Sequence, residues 1–168
     1  WLVGPRSDDS ALDFMLDLAD RLSKRVQLTT DGHGMYRNAV KAAFGHDVDY
    51  GMLVKTYGAD PQNETRYSPA MVLSAHTKAV IGDPLESQIS TSFIERQNLS
   101  MRMGMRRFTR LTNGFSKKIE NHCHAIALHY MHYNFCRVHM TLGTTPAVAN
   151  GVSDHIWTID EIIALLPN

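Results

Sequence analysis

The chain has little cysteine, no long apolar run and no net charge, and each shortage excludes something. Its two cysteines, Cys123 and Cys136, are thirteen residues apart and form no CxxC or other zinc spacing. A disulfide framework and a cysteine-based zinc module are therefore not expected, and small buried thiols in a reduced compartment are the simplest reading. Neither cysteine has the setting of an activated nucleophile. No apolar stretch approaches the roughly 20 residues needed to span a bilayer, so no membrane partner is expected. There is no nucleotide-binding glycine fingerprint, no internal repeat and no low-complexity tract. The 17 basic and 17 acidic residues cancel, so the chain as a whole carries no polyanion-binding signature. Its opening, Trp1-Leu2-Val3-Gly4, lacks Met and has neither the basic start nor the apolar core of a signal peptide. It reads as a chain entered at a strand.

The chain contains 168 residues, 43% of them apolar, enough for one domain with a proper core. Its charge is sorted by sign. Asp8, Asp9, Asp13, Asp17 and Asp20 crowd the start, whereas Arg96 through Lys118 holds seven Lys or Arg and no acid. One carboxylate, Glu95, stands at the head of that basic run. Read as a helix, Ser87 to Arg110 places Ile94, Met101, Met105 and Phe108 at seven-, four- and three-residue steps. Arg102 and Arg106 then follow Glu95 by about two and three turns.

Trp1 to Gly4 reads as the end of a buried strand closed by Gly4-Pro5. Ser7 is placed to cap a helix over about 8–25, with Leu12, Met15, Leu16, Ala19 and Leu22 at helical spacing, acids in its first turn and Lys24-Arg25 in its last. Val26 to Thr30 is β-branched and partly alternating, a strand broken by Asp31-Gly32-His33-Gly34. Tyr36, Ala39, Val40 and Ala43 mark a second helix that Gly45 stops. Asp47 to Tyr57 is a strand with Val48, Tyr50 and Met52 on one face. Gly58 to Tyr67 is a polar loop, and Met71 to Ile81 a further strand or ribbon. After the basic helix comes an interruption at Thr112-Asn113-Gly114. A helix over about 116–137, the loop and short turn of LGTTPAVANG, and a closing helix over Ile159 to Leu166 follow. The order is α/β, a sheet covered by helices: a 1–57 core, a 58–86 loop or ribbon, basic and C-terminal helices over 87–139 and a tail over 140–168.

Asp31 and Glu95 are the candidate catalytic and metal-ligating pair. Asp31 lies at a strand's carboxyl end, where open α/β sheets gather ligands. Phosphodiester chemistry by two metals needs carboxylates that converge from separate elements, and hard oxygen donors suit magnesium or manganese. The plainer readings are a turn-forming aspartate before Gly32 and a surface ion pair at Glu95. Five of the nine histidines lie between His122 and His139. His129 and His132 share a helix face, but spacing fixes no third ligand for zinc, and hydrogen-bonding histidines are the simpler account.

Certain residues in order carry a resemblance: Thr30-Asp31-Gly32; Phe93-Ile94-Glu95-Arg96-Gln97-Asn98; Met105 to Asn113; and Tyr133-Asn134-Phe135-Cys136-Arg137-Val138-His139 with Leu142, Thr145-Pro146 and Ala149. Together they resemble the catalytic domain of bacterial insertion-sequence DDE transposases, most nearly the insertion sequence one branch. The resemblance covers about Thr30 to Trp157. It implies a ribonuclease-H-like fold, a mixed sheet flanked by helices with a helical C-terminal part. Asp31 would be the second acid of the catalytic triad and Glu95 the third, with magnesium or manganese as cofactor. Such enzymes carry a first aspartate on the first strand of the fold, expected upstream of Trp1, and an amino-terminal DNA-binding region. The chain thus reads as a catalytic-domain fragment lacking its first strand or strands and inactive alone. Arg96, Arg102, Arg106, Arg107, Arg110, Lys117 and Lys118 would clamp the backbone of transposon-end and target DNA. The complete enzyme would be a homo-oligomer in the bacterial cytoplasm, associated with the nucleoid. The rival expectation is a non-catalytic DNA-binding or dimerising remnant.

Overall fold

The computed structural model describes residues 1–58, 71–109 and 112–166. The polar loop beyond Gly58 and the candidate DNA contact Arg110 lie outside the described residues. Two compact units divide the chain, Trp1–Glu95 and Arg96–Asn168.

The first unit is α/β. Ser7, with an extended backbone, caps helix α1 (Asp8–Arg21): its hydroxyl accepts the Ser10 N–H, and Asp8 and Asp9 occupy the first turn, where the helix dipole favours anions. The expected strand at Trp1 to Gly4 is not formed. That segment has no regular pairing, Trp1 and Leu2 are exposed, and Ser7 N–H already bonds Pro5 O at 3.0 Å as the chain turns into the helix. α1 ends at Arg21, short of the expected Arg25, because Leu22 turns extended (φ −99°, ψ 122°). Arg25, outside the helix, donates from Nε and Nη2 to both Asp49 oxygens at 2.9 and 2.7 Å and from Nη1 to His46 O at 2.6 Å.

Strand β1 (Gln27–Asp31) runs parallel to β2 (Asp49–Gly58), in register from Gln27↔Asp49 to Asp31↔Leu53. Parallel strands need a crossover, and helix α2 (Met35–Phe44) supplies it, closed by Gly45 at φ 58°. β3 (Met71–Ile81) pairs antiparallel with β2 from Tyr50↔Ile81 to Gly58↔Met71, so the sheet is mixed and ordered β1-β2-β3. The alternation of Val48, Tyr50 and Met52 puts all three on one face, where they pack with Ala11 and Met15 of α1 and Ala39 and Val40 of α2. Each large side chain so buried contributes about 1.5–3 kcal/mol. The Tyr50 hydroxyl keeps its one polar atom paired with Thr30 Oγ1 at 2.7 Å. On the opposite face Gly51 leaves room for Ile89, since a Cβ there would lie 2.5 Å from Ile89 Cδ1. An α/β mixed sheet flanked by helices is the expected fold class.

Helix α3 (Ser92–Gly104) follows a single 3₁₀ turn at Glu86–Gln88 and runs on into the second unit. The continuous helix expected through Arg110 is corrected: Met105 adopts an extended backbone (φ −131°, ψ 111°), and Arg106–Phe108 form a separate 3₁₀ turn. Gly104, a poor helix former, sits at the break. Arg106 and Phe108 therefore do not extend the face that carries Glu95 and Arg102. Helix α4 (Ile119–Met131) starts later than expected, and instead of continuing regularly to 137 it loosens into a π turn over His132–Cys136 before Arg137 turns extended. α5 (Pro146–Ala149) is capped by Thr145, and α6 (Ile159–Ala164) by a capping box of Thr158 and Glu161. Among the described residues no helix is long and apolar enough to cross a membrane.

Candidate active-site cleft

Asp31 is the last residue of β1, and the chain leaves the sheet directly after it. Its Oδ1 accepts the His33 N–H at 3.1 Å, the turn-forming bond expected of Asp before Gly. Gly32 keeps this turn close to β2, since a Cβ there would lie 3.3 Å from Val54 Cγ1. Because β1 stops opposite Leu53 while β2 continues to Gly58, a cleft of about 320 Å³ opens past the end of β1. Arg6, Asp31, His33, Lys55, Thr91 and Glu95 line it. The two acids singled out in the sequence thus share one cavity. The turn bond of Asp31 does not conflict with that placement, as it uses only one lone pair of one oxygen.

Glu95 reaches the cleft from the first turn of α3, its N–H bonded to Thr91 O at 3.0 Å. Its Oε1 accepts from the Lys55 ammonium and from Thr91 Oγ1, the latter at 2.7 Å. The Lys55 hydrogen bond, followed by that from Thr91, holds the Glu95 carboxyl below the usual glutamate range. The same pair raises the Lys55 ammonium above its ordinary value. Both side chains keep water contact, Lys55 at 24% exposure and Glu95 at 56%, so the ion pair is screened and contributes modestly to stability.

The donor set bears on which cation the cleft suits. Two carboxylates and a threonine hydroxyl are hard oxygen donors of the kind magnesium and manganese prefer. The Lys55 ammonium shows that Glu95 is already positioned to hold a positive charge there. In donor type these residues suit such a cation. Among the described residues no group of three His, Cys, Asp or Glu converges to hold a metal ion. Asp8 and Asp9 are committed to the first turn of α1. Sequence reading missed Lys55, Thr91 and Arg6. The one available signal was a lysine interrupting the apolar centre of a predicted strand directly after Leu53-Val54.

The second unit holds the basic residues. Arg96, Arg102, Arg106, Arg107, Lys117 and Lys118 are all exposed. Arg107 is also structural: Nη1 donates to Ser116 Oγ at 2.7 Å and to Asn121 O at 3.0 Å, tying the segment before α4 to its first turn. Arg96 shares a cleft of about 350 Å³ with Arg137, which sequence reading had placed only within a motif. The Tyr133 to Pro146 string folds as a hook. The His139 ring packs edge-on against Tyr133 at 4.3 Å, its Nε2 lies 3.1 Å from Tyr133 O, His139 bridges to Thr144, and fully buried Thr145 caps α5. His129 Nε2 is buried without a partner among the described residues, and burial pushes its imidazole below the ordinary histidine value. His122 Nδ1 lies 3.2 Å from Ser116 Oγ.

No known protein family, curated protein or solved structure matches this chain.

Proposed function

We propose that the chain carries part of the catalytic core of a DDE transposase, a ribonuclease-H-like domain that cuts and joins DNA phosphodiesters with magnesium or manganese. The observation that supports this most is the cleft itself: Asp31 from the end of β1 and Glu95 from the first turn of α3 line one cavity with two cationic side chains. A divalent cation held there would favour ionisation of an attacking hydroxyl, water first and a DNA 3′ oxygen next, and shield the leaving oxygen. Asp31 and Glu95 would hold it. Thr91 orients the Glu95 carboxylate. Arg96, Arg102, Arg106, Arg107, Lys117 and Lys118 would bind the DNA backbone, which fixes register without reading sequence. With two acids in the cleft, metal and DNA binding without turnover is the expected behaviour of this chain.

A second reading, a non-catalytic DNA-binding remnant, is favoured by the Lys55 ammonium on Glu95. Manganese titration followed by electron paramagnetic resonance separates the two. The first reading expects binding that Asp31→Asn and Glu95→Gln each weaken about tenfold or more, as loss of groups around a metal typically does. Salt-sensitive DNA binding indifferent to both manganese and Asp31→Asn would leave only the second.

A further inference from the structure

The cleft is balanced in charge. Asp31 and Glu95 share its lining with Arg6 and Lys55, two acids and two bases, and His33 and Tyr57 are the other titratable neighbours. Such a cavity exerts little net attraction on a dication. The balance is also local, because one oxygen, Glu95 Oε1, serves both Lys55 and Thr91. An ammonium and a divalent ion cannot share that oxygen without bringing two positive charges into contact, so one must leave.

Lys55 is able to leave. It rises from β2 beyond the last pair with β1, Asp31↔Leu53, so among the described residues no neighbouring strand crowds its stem on that side. A lysine ammonium is a point charge on a flexible four-carbon chain, with little of the geometric commitment of a guanidinium. Thr91, buried at 6% exposure, stays behind and keeps the carboxylate oriented.

We infer that Lys55 is an internal counter-ion: it occupies Glu95 while the cleft holds no metal and is displaced from it by an incoming divalent cation. Lys55 is then a positioning and gating residue, and its presence sets the metal concentration at which the cleft fills. This rests on the proposed metal-binding role of Asp31 and Glu95.

Manganese affinity at pH 7 and fixed ionic strength, measured on the unaltered chain, Lys55→Met, Glu95→Gln and the double variant, tests it. Lys55→Met is expected to tighten manganese about three- to tenfold, the scale of one partly exposed charge pair. The double variant is expected to bind like Glu95→Gln alone, because no carboxylate remains to compete for. If Lys55→Met leaves the affinity unchanged or weakens it while Glu95→Gln abolishes binding, the counter-ion role is wrong and the metal site stands. If Glu95→Gln and Asp31→Asn leave manganese binding unchanged, the metal site itself is wrong and the counter-ion role falls with it. Should Lys55→Met fail to fold, the unaltered chain still decides the matter. Saturating magnesium should shift the Lys55 ε-methylene resonances as the ammonium leaves Glu95, and an unmoved signal overturns the inference.

Discussion

Arg25 and Asp49 close the first unit at its lower edge through two parallel N–H···O bonds, and the Asp83 N–H adds a third donor to the same carboxylate at 2.8 Å. Arg25 first, then the Asp83 amide, hold the Asp49 carboxyl down at about 2, against 3.8 when unperturbed. A depressed carboxylate stabilises the fold fully above its unfolded value and loses that contribution as pH falls. Asp49 should therefore cost the chain stability between about pH 4 and pH 2, and urea midpoints for Asp49→Asn should show a flatter pH dependence across that window than the unaltered chain. Gly82, at φ 66°, makes the arrangement possible, because a Cβ there would collide with the Asp49 carboxylate and the Arg25 guanidinium. None of this is visible in local sequence. Arg25 reads as a C-terminal helix cation by every positional rule, and only the extended turn at Leu22 frees it. The same holds for Lys55 and Glu95, 40 residues apart. Asp31 and Glu95 stand out in the sequence because each stands alone at an element boundary, whereas Lys55, which pairs with Glu95, lies inside a strand and is brought there by tertiary packing.

At the scale of elements, what the sequence disclosed was periodic. Val48, Tyr50 and Met52 alternate, and all three are buried. Gly45 was assigned to end α2 and does so with the positive φ that favours glycine. The segments misread are those whose period continues past a physical break. The spacing of Met101, Met105 and Phe108 carries a helical pattern through Gly104, where the backbone leaves it. Gly104 is exposed, its φ is not in the left-handed region, and an added Cβ would meet the His129 ring at 3.4 Å, an ordinary contact. Gly104→Ala should therefore raise stability by about 0.5–1 kcal/mol, through helix propensity and a less free unfolded chain, read as an upward shift in the denaturation midpoint. The π turn at His132–Cys136 was equally invisible. Its residues read as helix, and beyond it Arg137 turns extended and His139 packs back on Tyr133.

For the molecule as a whole, zero net charge conceals a separation by sign. The acids of α1 belong to the first unit, and the acid-free run after Glu95 belongs to the second. On the proposed role, DNA affinity should fall with salt at a slope set by the phosphates neutralised, roughly 0.9 per contact. Arg96→Ala and Arg102→Ala should each lower that slope by about 1 across unrelated sequences, measured by fluorescence anisotropy at several salt concentrations. Arg107→Ala should in addition lower the melting temperature, since its guanidinium holds Ser116 and Asn121 O. A slope that none of the three changes would place the DNA surface elsewhere on the chain.

β2 outlasts β1. From Val54 to Gly58 it keeps β3 on one side and, among the described residues, has no strand on the other. Among the described residues the backbone amides and carbonyls on that side have no strand partner, and a polar main-chain group left dry would cost more than its hydrogen bond returns. That edge borders the cleft, whose lining includes Leu53, Val54, Lys55 and Tyr57 of β2. Under the proposed metal-binding role, a dication drawn between Asp31 and Glu95 would arrive with much of its water shell still on, because magnesium gives up its waters reluctantly.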